Sequence, residues 1–253
     1  MSDKTEAAAV EPLRAAASHS PVNRLSTGSL QEQAYQALRH AIRSGRFSSG
    51  ESVTLRGLAE MLGTSLTPVR EAARRLIHEN TLELLPNRSM RVPRLSLQRF
   101  DELTDVRATL EGRAAALACE RMTAQDYTEI RAANDRNSKA VDLGDLPALV
   151  RANQEFHFRI YEAARSDMLL AMIEQLWQQS GPYIAALIQE QSAAQRSEGL
   201  HSFALVHHFE LLAALGKRDA QAASKAMSLD IIDAAQGYRT TLFLKQDSGA
   251  PVQ

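Results

Sequence analysis

The segment 55–77, LRGLAEMLGTSLTPVREAARRLI, narrows what this chain can fold into, because it encodes two short amphipathic helices with only a tight turn between them. In the first, Leu58, Met61 and Leu62 recur at helical spacing, and Gly63 follows where a left-handed residue costs least. Gly63, Thr64 and Ser65 make the turn. The second helix has an N-cap candidate in Ser65 or Thr67, Pro68 in its first turn, and an apolar stripe of Val69, Ala72, Ala73, Leu76 and Ile77. Arg70 and Arg74, four apart, project from its other face, and Ser65 and Thr67 sit at the tip where a recognition helix meets bases and phosphates. This is the layout of a helix-turn-helix that reads DNA. A solvated arginine face on an ordinary surface helix is the competing interpretation, and the flanks weigh against it.

Upstream, Ala34, Tyr35, Leu38, Ala41 and Ile42 predict a further amphipathic helix ending at Ser44 and Gly45, and Gly50 marks a loop. Downstream, 81–85 and 90–93 read as two short strands around Pro86, Asn87, Arg88 and Ser89, a turn with a cation at its tip. Three helices followed by a basic hairpin make a winged helix. Charge divides the chain at the same place. Residues 24–95 carry 11 arginines and no lysine against six glutamates, whereas from Ser96 onward 16 basic residues face 21 acidic ones. A basic module on an acidic body suits an electrostatically guided DNA contact whose affinity falls steeply with salt.

These residues carry a resemblance. The segment 30–95 resembles the winged-helix domain of GntR-family transcription regulators, through Leu58-Ala59-Glu60, the run from Gly63 through Ser65, Thr67, Pro68, Val69, Arg70 and Glu71 to Ala72, and Arg75-Leu76. The resemblance implies DNA contacts from Arg56, Ser65, Thr67, Arg70 and the wing around Asn87 and Arg88. Leu66 stands where that family commonly has an arginine, which implies a different operator sequence. Asn80 and Ser89 stand where glycines are frequent, and Asn tolerates a positive φ.

Beyond Leu95 there is no strand-like alternation, only helical periodicity broken by short polar turns. Leu103, Val106, Leu110, Ala114 and Leu117 form one stripe, Thr123 with Asp126 makes a capping-box start, and further helices are predicted over 146–164, 168–178, 183–191, 198–215 and 220–238. The expected fold is therefore mainly α: a winged helix-turn-helix over 30–95, then an antiparallel all-α bundle over 96–243 for effector binding and dimerisation. Tails at 1–29 and 244–253 complete it, the first rich in Ala, Ser and Pro and expected to be disordered.

Polar residues interrupt the stripes of the bundle. Arg107, Asn153, His157, His208 and Asp230 each fall where a core residue belongs, and buried polar groups are costly unless paired or bound. Five of them on four helices suggest a shared internal site. Asn153 and His157, at i and i+4, offer an amide oxygen and an imidazole on one helical face, as metal-ligand pairs do, although a satisfied core histidine is the simpler interpretation of the pair alone.

The region 97–243 resembles the FCD effector-binding domain of the FadR-like branch, through the run 106–111, Phe156-His157 and the run 208–212. In its metal-binding members an aspartate precedes the first of three histidines by four residues. By that matching Asn153 replaces the aspartate and Asp230 the last histidine, so the ligand set Asn153, His157, His208 and Asp230 keeps one carboxylate. The resemblance implies a divalent ion, Zn, Ni or Mn, and a small organic acid whose carboxylate meets the ion and the guanidinium of Arg107. An ion pair with Glu111 is the other role open to Arg107. Two other function classes compete: a metal-free regulator sensing a long acyl thioester, and a metal-dependent enzyme with an accessory DNA-binding module.

A homodimer is expected, because one winged helix reads too few bases and two-fold symmetry matches a palindromic operator in double-stranded DNA. No apolar run approaches the ~20 residues of a membrane span, no signal peptide is apparent, and the lone Cys119 is expected as a core thiol, which together predict a cytoplasmic protein. Trp177, Tyr183 and Phe203 are expected in the core, with cavity lining as the alternative.

Overall fold

The computed structural model describes residues 30–94, 96–198 and 203–239. Both predicted tails lie outside these residues, as does the side chain of Phe203, and Glu198, expected to open a helix, instead closes the one before it.

The first module runs α1 (Leu30–Arg43), β1 (Ser52–Val53), α2 (Leu55–Leu62), α3 (Leu66–His78), β2 (Glu83–Leu84) and β3 (Met90–Arg91). Thr54 caps α2 by accepting from the Gly57 amide at 3.1 Å, and Gly63 ends it in the left-handed conformation, φ 61°. Ser65 is the N-cap of α3, and its hydroxyl makes no cap bond. Leu38, Ile42, Leu58, Val69, Leu76 and Met90 interlock beneath the three helices as one core. Arg75 is held against α1, its guanidinium 3.6 Å above the Tyr35 ring and 2.6 Å from Glu32.

The wing is a three-stranded antiparallel sheet with β3 central, Arg91 facing Ser52 on one side and Glu83 on the other. The strand β1 escaped the sequence reading because two residues show no alternation. The positive φ anticipated at Asn80 is present at 56°, but in the wing it falls on Arg88, at 64°, rather than on Ser89. Asn87 enforces this geometry, its side-chain oxygen accepting from the Ser89 amide at 3.1 Å and hydroxyl at 2.6 Å.

The second module is all helical: α4 (Leu97–Arg121), α5 (Ala124–Leu143), α6 (Leu146–Ala163), α7 (Asp167–Glu198), α8 (Phe203–Gly216) and α9 (Ala220–Tyr238). Thr123 and Asp126 form the expected capping box. A run of small side chains on α4, including Ala114, Ala115 and Ala118, lets α9 and α6 approach closely around Phe156, Ile160, Ile173 and Leu211.

The separate helices predicted over 168–178 and 183–191 are one helix of 32 residues passing through Gly181 and Pro182. An interior proline costs about 3 kcal/mol on its own, and tertiary packing outweighs that here. Trp177, Tyr183 and Ala185 are all buried, and Gly181 lies so close to α1 that an added Cβ would stand 2.4 Å from the Arg43 carbonyl oxygen. The same stretch joins the modules. Arg39 meets Glu174 at 2.8 Å, and the Tyr183 hydroxyl donates to the Pro93 carbonyl at 3.1 Å and lies 2.8 Å from the Ser49 hydroxyl.

Candidate functional site

Two sites take shape, one on the surface of the winged helix and one inside the bundle. On the first, Arg56, Ser65, Thr67, Arg70, Arg74, Asn87 and Arg88 are all exposed. They come from the start of α2, the N-terminal and middle turns of α3, and the tip of the wing. Arg74 lies 2.9 Å from Glu71, an exposed pair that holds it weakly. Arg75, by contrast, is committed to Tyr35 and Glu32. Leu66, at the first position of α3, leaves 38% of its surface exposed between Ser65 and Thr67.

Inside the bundle, α6, α8 and α9 bring His157, His208 and Asp230 together, one ligand atom from each lying within 4.8 Å of the others. Asp230 Oδ2 is 3.3 Å from His157 Nε2, and Oδ1 is 3.8 Å from His208 Nε2. All three are buried, and Asn153, half-buried one turn before His157, lines the same cavity. Arg107 also lines it, bound through Nε and Nη2 to Glu111 at 2.6 and 3.3 Å and lying 5.0 Å over the Trp177 ring. The ion pair raised as its other role is thus formed, while two of its five N–H groups at most are consumed by it.

Protons can be placed by elimination. Tyr161 donates to Glu111, and burial together with the Glu111 charge holds its hydroxyl well above the usual range, so that proton stays. With its one proton committed, the Tyr161 oxygen accepts from His157 Nδ1 at 3.1 Å. His157 Nε2 is thereby turned toward Asp230. His208 Nδ1 lies 3.2 Å from both Asn134 Oδ1, an acceptor, and Asn137 Nδ2, a donor, while Nε2, fully buried, has no hydrogen-bond partner among the described residues. Burial pushes His208 down to about 4 against the pull of Asp230, so its imidazole is neutral near pH 7. Burial favours a protonated Asp230, but the His157 hydrogen bond and the nearby imidazoles of His208, His157 and His207 outweigh it and hold the carboxyl below its usual range. An ionised carboxylate therefore faces two Nε2 atoms whose Nδ1 sides are tied elsewhere. A proton or a cation held between them satisfies this arrangement.

The sequence reading missed Tyr161, Asn134 and Asn137, and it took Trp177 for core before cavity wall. Asn134 and Asn137 were detectable, since on α5 they interrupt the buried row Ile130, Ala133, Ala140.

The architecture is that of a bacterial transcription regulator. Residues 30–92 match the description "Bacterial regulatory proteins, gntR family" and residues 102–232 match "FCD domain". The chain belongs to the GntR family of transcription regulators, in its FCD-containing branch. Among its relatives is the HTH-type transcriptional regulator McbR of Escherichia coli (strain K12), 35% identical over 191 residues, covering 76% of this chain and 84% of that one. The solved E. coli McbR/YncC structure superposes with a TM-score of 0.74 at 30% identity, over 87% of this chain and 99% of that one. A putative GntR regulator from Rhodococcus sp. RHA1, 20% identical with a TM-score of 0.67 over 85% of this chain and 99% of its own, shares the fold.

Proposed function

We propose that this regulator binds a palindromic operator as a homodimer in the cytoplasm, where its DNA target lies, and that a small carboxylate effector inside the bundle controls its grip on DNA. DNA would be contacted by Arg56, Ser65, Thr67, Arg70 and Arg74 on the helices and by Asn87 and Arg88 on the wing. A divalent ion, Zn, Ni or Mn, would be held by Asn153, His157, His208 and Asp230. The observation that carries the metal reading is the pair of buried Nε2 atoms turned toward one carboxylate, each with its Nδ1 side occupied by another group. When bound, the ion supplies an anchor for the effector carboxylate. Arg107 stays charged because Glu111 offsets the cost of its burial, and its remaining N–H groups orient that carboxylate.

Coupling to DNA would run through Tyr183, which lines the cavity and also bonds the Pro93 carbonyl at the end of the wing. A coupling of about 1–3 kcal/mol is typical of such devices. A relative in Paenarthrobacter nicotinovorans is named a probable D-xylose utilization operon transcriptional repressor, which supports repression as the direction of control.

The test is fluorescence anisotropy with the duplex upstream of its own gene against a scrambled one, over a salt series, alongside elemental analysis of wild type and His157→Ala. Selective, salt-sensitive binding is expected, with about one metal per chain that the variant loses. Equal affinity for both duplexes at every salt would sink the regulator reading. A wild-type protein that takes up no Zn, Ni or Mn would sink the metal.

A further inference from the structure

We infer that the effector is a short aliphatic monocarboxylate, and that this chain selects against hydroxylated and multiply charged acids. The inference rests on the carboxylate reading above and gives it a chemical class. The cavity is walled by Phe100 and Leu103 from α4, Ile184 and Ile188 from α7, Ile231 from α9, and the ring of Trp177. Its charged and amide-bearing groups do not line it evenly. Arg107, Glu111, Tyr161, His157 and Asp230 form one unbroken chain of contacts, with Asn153 a turn away on α6.

Elsewhere among the described lining residues the polar groups are the indole N–H of Trp177, which is one available donor, and the hydroxyls of Thr104, Ser180 and Tyr183, each of which gives its proton to a backbone carbonyl. Thr104 donates to Phe100 at 2.9 Å, Ser180 to Leu176 at 2.8 Å, and Tyr183 to Pro93 at 3.1 Å. A carboxylate seated on the polar chain must therefore project the rest of the molecule along isoleucine, leucine and aromatic surface. Methylenes there tighten binding by about fourfold each. A hydroxyl on every carbon would leave most of those hydroxyls without donors, weakening binding by roughly tenfold or more for each. A second carboxylate would meet apolar walls and, among the described lining residues, no cation other than Arg107.

Size points the same way. The cavity volume is about 70 Å³, roughly half that of a buried apolar cavity known to hold benzene. This favours a chain of a few carbons over a long acyl thioester.

Trp177 is the one tryptophan of the chain, so its emission reports on this cavity without any substitution. Full-length protein, chelated and then either left bare or reloaded with Zn²⁺, is titrated with a matched four-carbon set: butyrate, threonate, succinate and butyramide. A saturable change with butyrate in the Zn²⁺ sample, at a concentration at least about tenfold below threonate and succinate, is expected. Threonate or succinate binding as tightly as butyrate would overturn the inference and leave the carboxylate reading intact. Butyramide matching butyrate while threonate stays weak would overturn the carboxylate reading beneath it. Silence from all three acids in both samples would remove both.

Discussion

At the first position of α3, a leucine side chain 38% exposed stands between two hydroxyl residues on a surface otherwise rich in arginine. An apolar group there suits the methyl of a thymine better than a guanine edge or a phosphate. Leu66→Arg should therefore tighten binding to any duplex at low salt and steepen the dependence of log affinity on log salt by about 0.9. An unchanged slope in an anisotropy salt series would mean that position 66 faces away from DNA. Cys119 makes a second prediction at this scale. It is 1% exposed, and burial raises its thiol to about 11 from an ordinary 9.0. Its neutral form is favoured in the fold, so its contribution to stability is intact below the ordinary value and declines as pH climbs from there toward 11. At roughly pH 8 a thiol reagent should label the native protein far more slowly than the same protein in denaturant. Equal rates would place Cys119 outside the core.

The helices show what the sequence could and could not disclose. Arg107, His157, His208 and Asp230 were legible because each breaks an apolar stripe, and a stripe is a local pattern. Their grouping around Asp230 was only implied, since which stripes meet depends on how α6, α8 and α9 cross. Tyr161 fell in an apolar row without contrast, and its role as the acceptor that orients His157 depends on Glu111 from another helix. The winged helix was legible almost throughout, because caps and turns such as Gly63 and Asn80 act within a few residues. The continuity of α7 was not, because local preference at Gly181 and Pro182 argues for a break and only contact with α1 reverses it. Gly181→Ala probes that contact. Its Cβ would collide with the Arg43 backbone, which cannot rotate aside, so a loss of about 1–3 kcal/mol in stability is expected. Urea denaturation that shows no change would mean that α1 and α7 separate freely.

Across the whole molecule, Tyr183 joins the cavity to the winged-helix module. Tyr183→Phe keeps the ring that lines the cavity and removes the hydroxyl held at Pro93 and Ser49. Loss of one such bond is worth about 1 kcal/mol, so the effect of an acid effector on operator affinity should shrink by roughly fivefold. Metal content and affinity for effector should stay near wild type. A Phe variant that responds to effector as fully as wild type would put the coupling route elsewhere. The seam between α1 and α7 has a mechanical meaning as well. A methyl on Gly45 would fall 2.0 Å from the Ala185 Cβ, just as one on Gly181 would strike the Arg43 backbone, so the α1 end rests on a rigid methyl at one point and on bare backbone at the other. Rotamer changes normally absorb small displacements at such joints, acting as slack in a linkage. Here there is almost no slack to take up. A shift of α7 by a fraction of an ångström would therefore press on α1, and through α1 on α3, which packs against it.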